Sequence, residues 1–269
     1  MTVTLSALFS SYEHVLLDLD GCVWVGERAT AGAPEAVLAL RRAGKRVAFV
    51  TNDPRHATEE LVRRLWAQGF QASVEEVVTV GGALQHLLAE RFGGEPAVVI
   101  GSPAIHRHVS EAGLRIVNGT DMVGRASVVV VAGHDDFAFG ELREATRALR
   151  AGATLVGAAR DATYPMPDGP RPGSGSILAA VEVAGGTTAA TVVGKPEPGL
   201  FRTALHRLGP GRALVVGDRL DADVAGAHAA GLDAALVLSG TTDRATADTA
   251  PEPRPVAVAD SLAALVHGP

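Results

Sequence analysis

The chain has 269 residues, of which 47% are hydrophobic, and a formal net charge of −6 at pH 7. This length suffices for one large domain or two modest ones with real cores, and the apolar composition excludes a disordered chain. The negative charge and the scattered Lys and Arg residues disfavour a nucleic acid or an anionic membrane as a partner.

The cellular compartment is indicated by cysteine usage and by the N-terminus. Cys22 is the one cysteine, so an intrachain disulfide is impossible and nothing ties the fold to an oxidising environment. The first residues lack the basic and apolar regions of a signal peptide. No apolar stretch reaches the roughly 18 residues that a membrane helix needs. We therefore expect a cytoplasmic protein.

Short apolar runs alternate with helical patterns along the chain. Predicted strands lie at 14–19, 46–52, 97–101, 126–133, 153–158, 212–218 and 233–240, with a short strand before Lys195. Predicted helices lie at 33–44, 57–69, 102–113, 137–152, 199–209, 221–231 and 259–268, and loops at 164–176 and 241–255. Alternating strands and helices predict an α/β fold with a doubly wound parallel sheet and right-handed crossovers.

Polar residues follow several predicted strands. The first strand ends in Asp18-Leu19-Asp20 and the second in Thr51-Asn52-Asp53. A later strand ends at Asp218, and Asp221 and Asp223 come soon after it. Because ligand sites in open parallel sheets form at the carboxyl ends of the strands, we expect these groups to converge.

Converging carboxylates point to a cation and a phosphate. They repel one another and are hard to keep ionised together unless a divalent cation is bound. Oxygen ligands without Cys or His suit Mg²⁺ better than Zn²⁺. Lys195 could neutralise a phosphate, and the Thr51 hydroxyl could donate to its oxygens. Asp18 and Asp20 are two residues apart, so one could attack as a nucleophile while the other donates a proton.

Four segments carry a family resemblance. "DLDGCVWVG", "VTN", "VGKPEP" and "VVGDRLDADVAGA" resemble, in order, the four motifs of the haloacid-dehalogenase-like (HAD) hydrolase superfamily. The segment "RDATYPMPDGPRPGSGSILAAVE" resembles the substrate-facing part of the α/β cap of subfamily IIA, which includes 4-nitrophenyl phosphatases. The resemblance covers nearly the whole chain. It implies a Rossmann-like catalytic core at 1–77 plus 192–269, and an inserted, smaller α/β cap domain at 78–191.

The resemblance implies a role for each core residue in the reaction. Asp18 would be the nucleophile that forms an aspartyl-phosphate, and Asp20 would be the general acid and then the base. Thr51 and Asn52 would bind the transferring phosphoryl group. Lys195 would steady both the nucleophile and the phosphate charge, which is the positioning and neutralisation that phosphoryl transfer requires.

The same resemblance implies a Mg²⁺ site. Asp18, Asp218 and the backbone carbonyl of Asp20 would bind the ion. Asp223 would act in the metal shell or next to it.

The chain departs from the family pattern in two places. Asp53 and Pro54 stand where members often have Asn and Ser, and an extra carboxylate would repel phosphate unless it pairs with a cation such as Arg55. In the cap, "AARD" at 158–161 replaces the frequent "TNPD". Arg160 and Asp161 are therefore candidate substrate contacts.

The predicted function is a Mg²⁺-dependent phosphatase acting on a small-molecule phosphomonoester, such as glycerol phosphate, a sugar phosphate, phosphoglycolate or a nucleotide. Trp24 would lie in a flap that shields the site from water. Alternatives are a phosphotransferase or mutase on the same scaffold, a haloacid dehalogenase, and a phosphometabolite-binding protein without turnover. No nucleic-acid or membrane partner is expected, and the resemblance is compatible with a cap-mediated homodimer.

Overall fold

The computed structural model describes residues 5–268. In chain order, its strands are β1 (His14–Leu17), β2 (Trp24–Val25), β3 (Arg28–Ala29), β4 (Arg46–Thr51), β5 (Val77–Thr79), β6 (Pro96–Gly101), β7 (Arg115–Ile116), β8 (Val128–Gly133), β9 (Thr154–Gly157), β10 (Thr163–Tyr164), β11 (Arg171–Pro172), β12 (Thr191–Val192), β13 (Ala213–Gly217), β14 (Asp233–Val237) and β15 (Ala257–Ala259). Its helices are α1 (Ala33–Arg42), α2 (Thr58–Ala67), α3 (Val80–Phe92), α4 (Pro103–Glu111), α5 (Phe139–Arg150), α6 (Ser174–Gly185), α7 (Gly199–Leu208), α8 (Ala225–Ala229), α9 (Arg244–Asp248) and α10 (Leu262–His267). A turn of π-helix, Leu220–Val224, precedes α8.

The first sheet has six parallel strands in the order β15-β14-β13-β1-β4-β5. The chain runs outward from β1 through β4 to β5, and later from β13 through β14 to β15 on the other side. This order has its switch point next to β1, where doubly wound sheets bind ligands beyond the carboxyl ends of the strands. The predicted doubly wound parallel sheet is confirmed.

Both faces of this sheet are buried. In β1, Val15 and Leu17 belong to one apolar cluster together with Phe49, whereas Leu16 belongs to the opposite cluster with Phe201. Alternate residues of a strand point to opposite faces, so a strand covered on both sides is apolar throughout. This burial explains why "HVLL" reads as a continuous apolar run.

The second sheet has five parallel strands in the order β12-β9-β8-β6-β7. The chain leaves the first sheet after β5, where Val78 and Thr79 pair with Val50 and Thr51, and it leaves the second sheet after β12. The boundaries predicted at 77/78 and 191/192 therefore fall inside β5 and β12. The division into a core and a cap remains a prediction.

The observed elements differ from the predicted ones mainly where elements are short. The predicted loop 164–176 contains β11 and the start of α6, and β10 and β11 pair as an antiparallel hairpin. The predicted loop 241–255 contains α9. No element was assigned to β5 and α3, because a three-residue strand runs directly into the helix and leaves no turn residue as a signal.

The longest helix in the described part of the chain has 13 residues, and none of the helices there is long and apolar enough to span a bilayer.

Candidate active site

The predicted site residues meet at the switch point of the first sheet. Asp18 follows β1, Thr51 ends β4 and Asp218 follows β13, and these three strands are neighbours in the sheet. Leu19 is completely buried in the apolar cluster of β1, so it anchors the turn between the two acids. The sheet order therefore brings together groups that are 200 residues apart in sequence.

Gly21 is required for this convergence. Its φ is +92°, a conformation that residues with a side chain rarely adopt. A Cβ at this position would lie 2.4 Å from Oδ2 of Asp218. The glycine of "DLDG" thus lets the β1 loop approach the carboxylate that follows β13.

A buried carboxylate cluster forms the floor of the site. Asp18, Asp218 and Asp223 each offer an oxygen, and these oxygens lie within 4.8 Å of one another. The ammonium of Lys195 donates to Oδ1 of Asp18 and, at 2.7 Å, to Oδ1 of Asp223. Three carboxylates and one ammonium leave a formal charge of −2 in a buried space.

Burial and the excess of negative charge shift the pKa values of these carboxyl groups. Burial raises the pKa of Asp18 well above its usual value, and Lys195 opposes this shift. Burial, together with neighbouring Asp223, raises the pKa of Asp218 to about 7. The Lys195 pKa is also raised, because attraction to Asp18 and Asp223 outweighs the effect of burial.

The donor set fits a hard divalent cation. Thr241 N donates to Oδ2 of Asp218 at 2.6 Å, but Oδ1 of Asp218 is buried without a hydrogen-bond partner among the described residues. A buried carboxylate oxygen without a partner is costly. An all-oxygen cluster of formal charge −2 matches the chemistry of Mg²⁺ ligation.

Asp20 lies apart from this cluster. It lines a cavity of about 80 Å³ above the cluster, and its Oδ1 accepts a hydrogen bond from the indole nitrogen of Trp24 at 3.0 Å. Burial and nearby Asp53 raise the pKa of Asp20, against the opposing charge of Arg55. A carboxyl group with a raised pKa retains its proton more readily, as a general acid requires.

Thr51 and Asn52 have different partners. The Thr51 hydroxyl accepts from Asp53 N at 3.0 Å, which leaves its own proton free to donate into the cavity. The Asn52 side chain instead binds the backbone of Lys195, with Oδ1 accepting at 2.8 Å and Nδ2 donating at 3.0 Å. Asn52 thus positions the lysine, and its predicted contact with phosphate remains a prediction.

Asp53 is neutralised by its neighbours. Its Oδ1 accepts from Arg55 N and Nε, both at 2.8 Å, and its Oδ2 lies 2.7 Å from His56 Nδ1. Burial alone would raise the pKa of Asp53, but the interactions with His56 and Arg55 hold it well below the usual range. The pairing with Arg55 that the sequence required is present.

Residues from the part of the chain that carries the second sheet line the side of the cavity opposite the carboxylate cluster. We call this side the roof of the cavity. The roof includes Gly133, His134, Asp135, Asp161, Thr163, Tyr164, Pro165, Pro172, Gly173, Ser174 and Ile177. Asp161 accepts from Asn52 Nδ2 at 2.7 Å. Arg219 lies 3.6 Å from the Asp161 carboxylate, and the guanidinium of Arg55 lies 4.0 Å from the ring centroid of Tyr164. These contacts join the roof of the cavity to its floor.

The two candidate substrate contacts separate in the structure. Asp161 lines the cavity, whereas Arg160 turns away and pairs with Glu182 of α6 at 2.9 Å. Arg160 does not line the cavity in this structure, and its predicted contact with the substrate remains a prediction that this orientation does not support. Asp161 is held by Asn52 and Arg219 on the cavity side, whereas Arg160 is held by Glu182 outside the cavity.

Sequence reasoning missed several residues of the site. Arg219 lines the cavity and donates to Thr163 O at 3.2 Å, and its place directly after Asp218 was the available signal. Tyr164 lines the cavity from a hairpin that was predicted as loop. Trp24 was expected in a flap that covers the site. It is instead completely buried behind Asp20, to which it donates a hydrogen bond.

The whole chain is similar to known hydrolases. A family profile described as haloacid dehalogenase-like hydrolase matches residues 15–115, and a HAD hydrolase-like profile matches residues 192–265. Human chronophin is 39% identical over 244 residues, covering 86% of this chain and 82% of that protein.

Solved structures agree with these matches. A crystal structure of glycerol phosphate phosphatase from Mycobacterium tuberculosis in complex with magnesium gives a TM-score of 0.87 at 36% identity, covering 98% of this chain and 79% of that one. The p-nitrophenyl phosphatase from Archaeoglobus fulgidus gives a TM-score of 0.82 at 29% identity, covering 94% and 97%. The similarity therefore spans both sheets and both halves of the site.

Proposed function

This chain belongs to the haloacid dehalogenase-like hydrolase family, within subfamily IIA, and from that premise we propose that it is a Mg²⁺-dependent phosphatase of small phosphomonoesters. The observation that carries the proposal is the buried cluster of Asp18, Asp218 and Asp223 around Lys195, with Asp20 on the cavity wall above it. A relative of known structure is a glycerol phosphate phosphatase that binds magnesium, which supports both the reaction and the metal.

Asp18 is the proposed nucleophile. Its carboxylate attacks phosphorus, a bond forms from its oxygen to phosphorus, and the bond from phosphorus to the leaving oxygen breaks. Asp20 gives its proton to that leaving oxygen. In the second half-reaction Asp20 takes a proton from water as the water attacks the aspartyl-phosphate and frees Asp18.

Lys195 and Thr51 hold charge during this exchange. The Lys195 ammonium orients Asp18 and favours its ionised form, and it offsets charge on the phosphoryl oxygens. The free proton of the Thr51 hydroxyl donates to one of those oxygens. Asn52 binds the backbone of Lys195, so the loop after β4 and the loop after β12 keep a fixed distance from each other.

Asp18, Asp218 and the backbone carbonyl of Asp20 would hold Mg²⁺. When bound, the ion supplies charge neutralisation and orients a phosphate oxygen. Asp223 is assigned a supporting position next to the ion, because both its oxygens already accept, from Lys195 Nζ at 2.7 Å and from Arg219 N at 3.1 Å.

The unit that carries the second sheet acts, in this proposal, as a cap that encloses the substrate. A cavity of about 80 Å³ favours a compact leaving group such as glycerol or a small sugar over a protein. The pairing of Asp53 with Arg55 and His56 removes the main argument for a binding protein without turnover. Release of free phosphate distinguishes the phosphatase from a phosphotransferase or mutase.

The test is phosphate release from a panel of phosphometabolites that includes both glycerol phosphates, with Mg²⁺ and with a chelator. We expect activity with Mg²⁺, its loss on chelation, and no turnover by Asp18→Asn with the circular dichroism spectrum unchanged. Asp233→Asn, a substitution at the opposite end of the sheet, is the matched control and should retain activity. Near-normal turnover of 4-nitrophenyl phosphate by Asp18→Asn would refute the mechanism.

A further inference from the structure

The Trp24 indole is buried behind the acid of the site. The side chain is 0% exposed and packs in the apolar cluster of β1, and it does not line the cavity. Yet its Nε1 donates to Oδ1 of Asp20, which does line the cavity, at 3.0 Å. An indole has a donor and no acceptor, so this hydrogen bond has one direction only.

The hydrogen bond determines which oxygen can carry the proton. A neutral carboxyl group has one O–H, and Oδ1 of Asp20 is occupied as an acceptor from Trp24. Oδ2 is therefore the oxygen left free to exchange a proton. That oxygen faces Arg55, whose Nη2 lies 3.9 Å away and which is itself a wall residue of the cavity. Trp24 thus turns the acidic proton toward the substrate space.

The backbone and α2 hold Trp24 in place. A β-bridge joins Asp20 to Trp24, and Gly21 N donates to Trp24 O at 2.7 Å, which closes a tight loop between them. The guanidinium of Arg64, on α2, lies 4.1 Å from the Trp24 ring centroid and donates to Gly26 O in the β2–β3 turn. A stacked cation and a fixed turn leave the indole little freedom to move.

We propose that Trp24 is a positioning residue for proton transfer by Asp20, and that Arg64 holds Trp24 in that role. The inference rests on the proposed phosphatase function. In the step it serves, the bond from Asp18 to phosphorus forms, the bond to the leaving oxygen breaks, and the proton moves from Oδ2 of Asp20 to that oxygen.

The test uses leaving groups that differ in their need for a proton. An alkoxide needs one as it departs, whereas 4-nitrophenolate is a stable anion that leaves without one. Trp24→Phe keeps the ring and removes the N–H. General acid catalysis contributes about 10²–10⁴-fold, so we expect kcat/KM to fall about 10-fold or more for glycerol phosphate and by less than about 3-fold for 4-nitrophenyl phosphate.

The second tryptophan provides the matched control. Trp66 lies on the outer side of α2, and its Nε1 also donates to an oxygen, Ala72 O, at 2.7 Å. Trp66→Phe should leave both kcat/KM values unchanged. Inhibition by inorganic phosphate should be equal in Trp24→Phe and the wild type, since Asp20 does not hold the phosphoryl group in this scheme.

Equal losses on both substrates, or no loss, would overturn the inference, while an inactive wild type would instead refute the proposed function. Should Trp24→Phe fail to fold, Arg64→Met decides the matter. It is expected to show the same substrate-selective loss at a smaller size, and the neighbouring exposed Arg63→Met should show none. Identical behaviour of the two arginine variants would also overturn the inference.

Discussion

Asp53→Asn tests whether Arg55 and His56 neutralise the extra carboxylate beside the phosphate site. Asp53 is 6% exposed and accepts two hydrogen bonds from Arg55 and one from His56, at 2.7–2.8 Å. Asparagine has the same shape, and its Oδ1 can still accept from Arg55. The substitution therefore removes charge from a buried network and leaves its packing intact.

The expected loss of stability depends on whether the groups that form each hydrogen bond are charged. Bonds to a charged group contribute about 1.5–3 kcal/mol, against about 0.5–1.5 kcal/mol for neutral ones. The bond from Arg55 N becomes a neutral one, which costs about 1 kcal/mol. The bond from the Arg55 guanidinium keeps its charged donor but loses the opposite charge of Asp53, which costs about 1 kcal/mol more. We therefore expect the free energy of unfolding to fall by about 2 kcal/mol at high pH, where His56 is neutral.

His56 makes the loss depend on pH. Its hydrogen bond to Asp53 raises the pKa of His56 in the folded protein. This stabilisation is fully present below the unfolded pKa of about 6.5 and is lost as the pH rises through the folded pKa. The His56 side chain is 39% exposed, so the extra loss at pH 5.5 is below about 1 kcal/mol.

Urea unfolding followed by tryptophan fluorescence measures this loss at pH 5.5 and pH 9. Asp168→Asn is the matched control, because Asp168 pairs with an arginine three residues on, Arg171, but is 68% exposed. The control should change stability by less than about 0.5 kcal/mol. A loss for Asp53→Asn no larger than for the control, or a loss that grows with pH, would show that Arg55 and His56 do not neutralise Asp53.

Three further predictions concern the site. Asp218→Asn should weaken Mg²⁺ binding in titration calorimetry by about 10-fold or more, whereas the exposed Asp221→Asn should not, and equal affinities would contradict the assigned ligand set. Arg160→Ala should leave KM within about 2-fold of the wild type, because its partner Glu182 lies outside the cavity. Asp161→Ala should lower kcat/KM about 10-fold through the lost bond to Asn52, and an effect equal to that of Arg160→Ala would contradict the orientation described for both.

Local sequence predicted four of the six strands of the first sheet, and it ended each of the four between one and three residues too late. β1 ends at Leu17, so Asp18 already lies outside the strand. The strand was predicted to continue to Leu19, the next apolar residue. Leu19 is buried in the turn, and burial by itself does not distinguish a strand from a buried turn. The hairpin of β10 and β11 was missed because its pairs, such as Thr163 with Pro172, lie outside any local periodicity.

The candidate site was predictable in its parts and not in its connections. Asp18, Thr51, Lys195 and Asp218 follow or end strands, and that position alone predicts their convergence. The partner of each group depends on distant residues. Asn52 binds the backbone of Lys195, which is 143 residues away, and no motif spacing encodes that contact.

The amino-acid sequence was enough to predict the strand–helix alternation, the polar residues at the strand ends and, through its four motifs, the family. These properties depend on local periodicity and on short segments, so they can be recognised without a three-dimensional structure. Three features emerged from the packed fold and not from the sequence: Asp161 faces the cavity while Arg160 faces solvent, Asp53 is neutralised, and Trp24 supports Asp20. Each of those depends on the direction of a side chain and on a partner from another element, and both are set when the sheets pack.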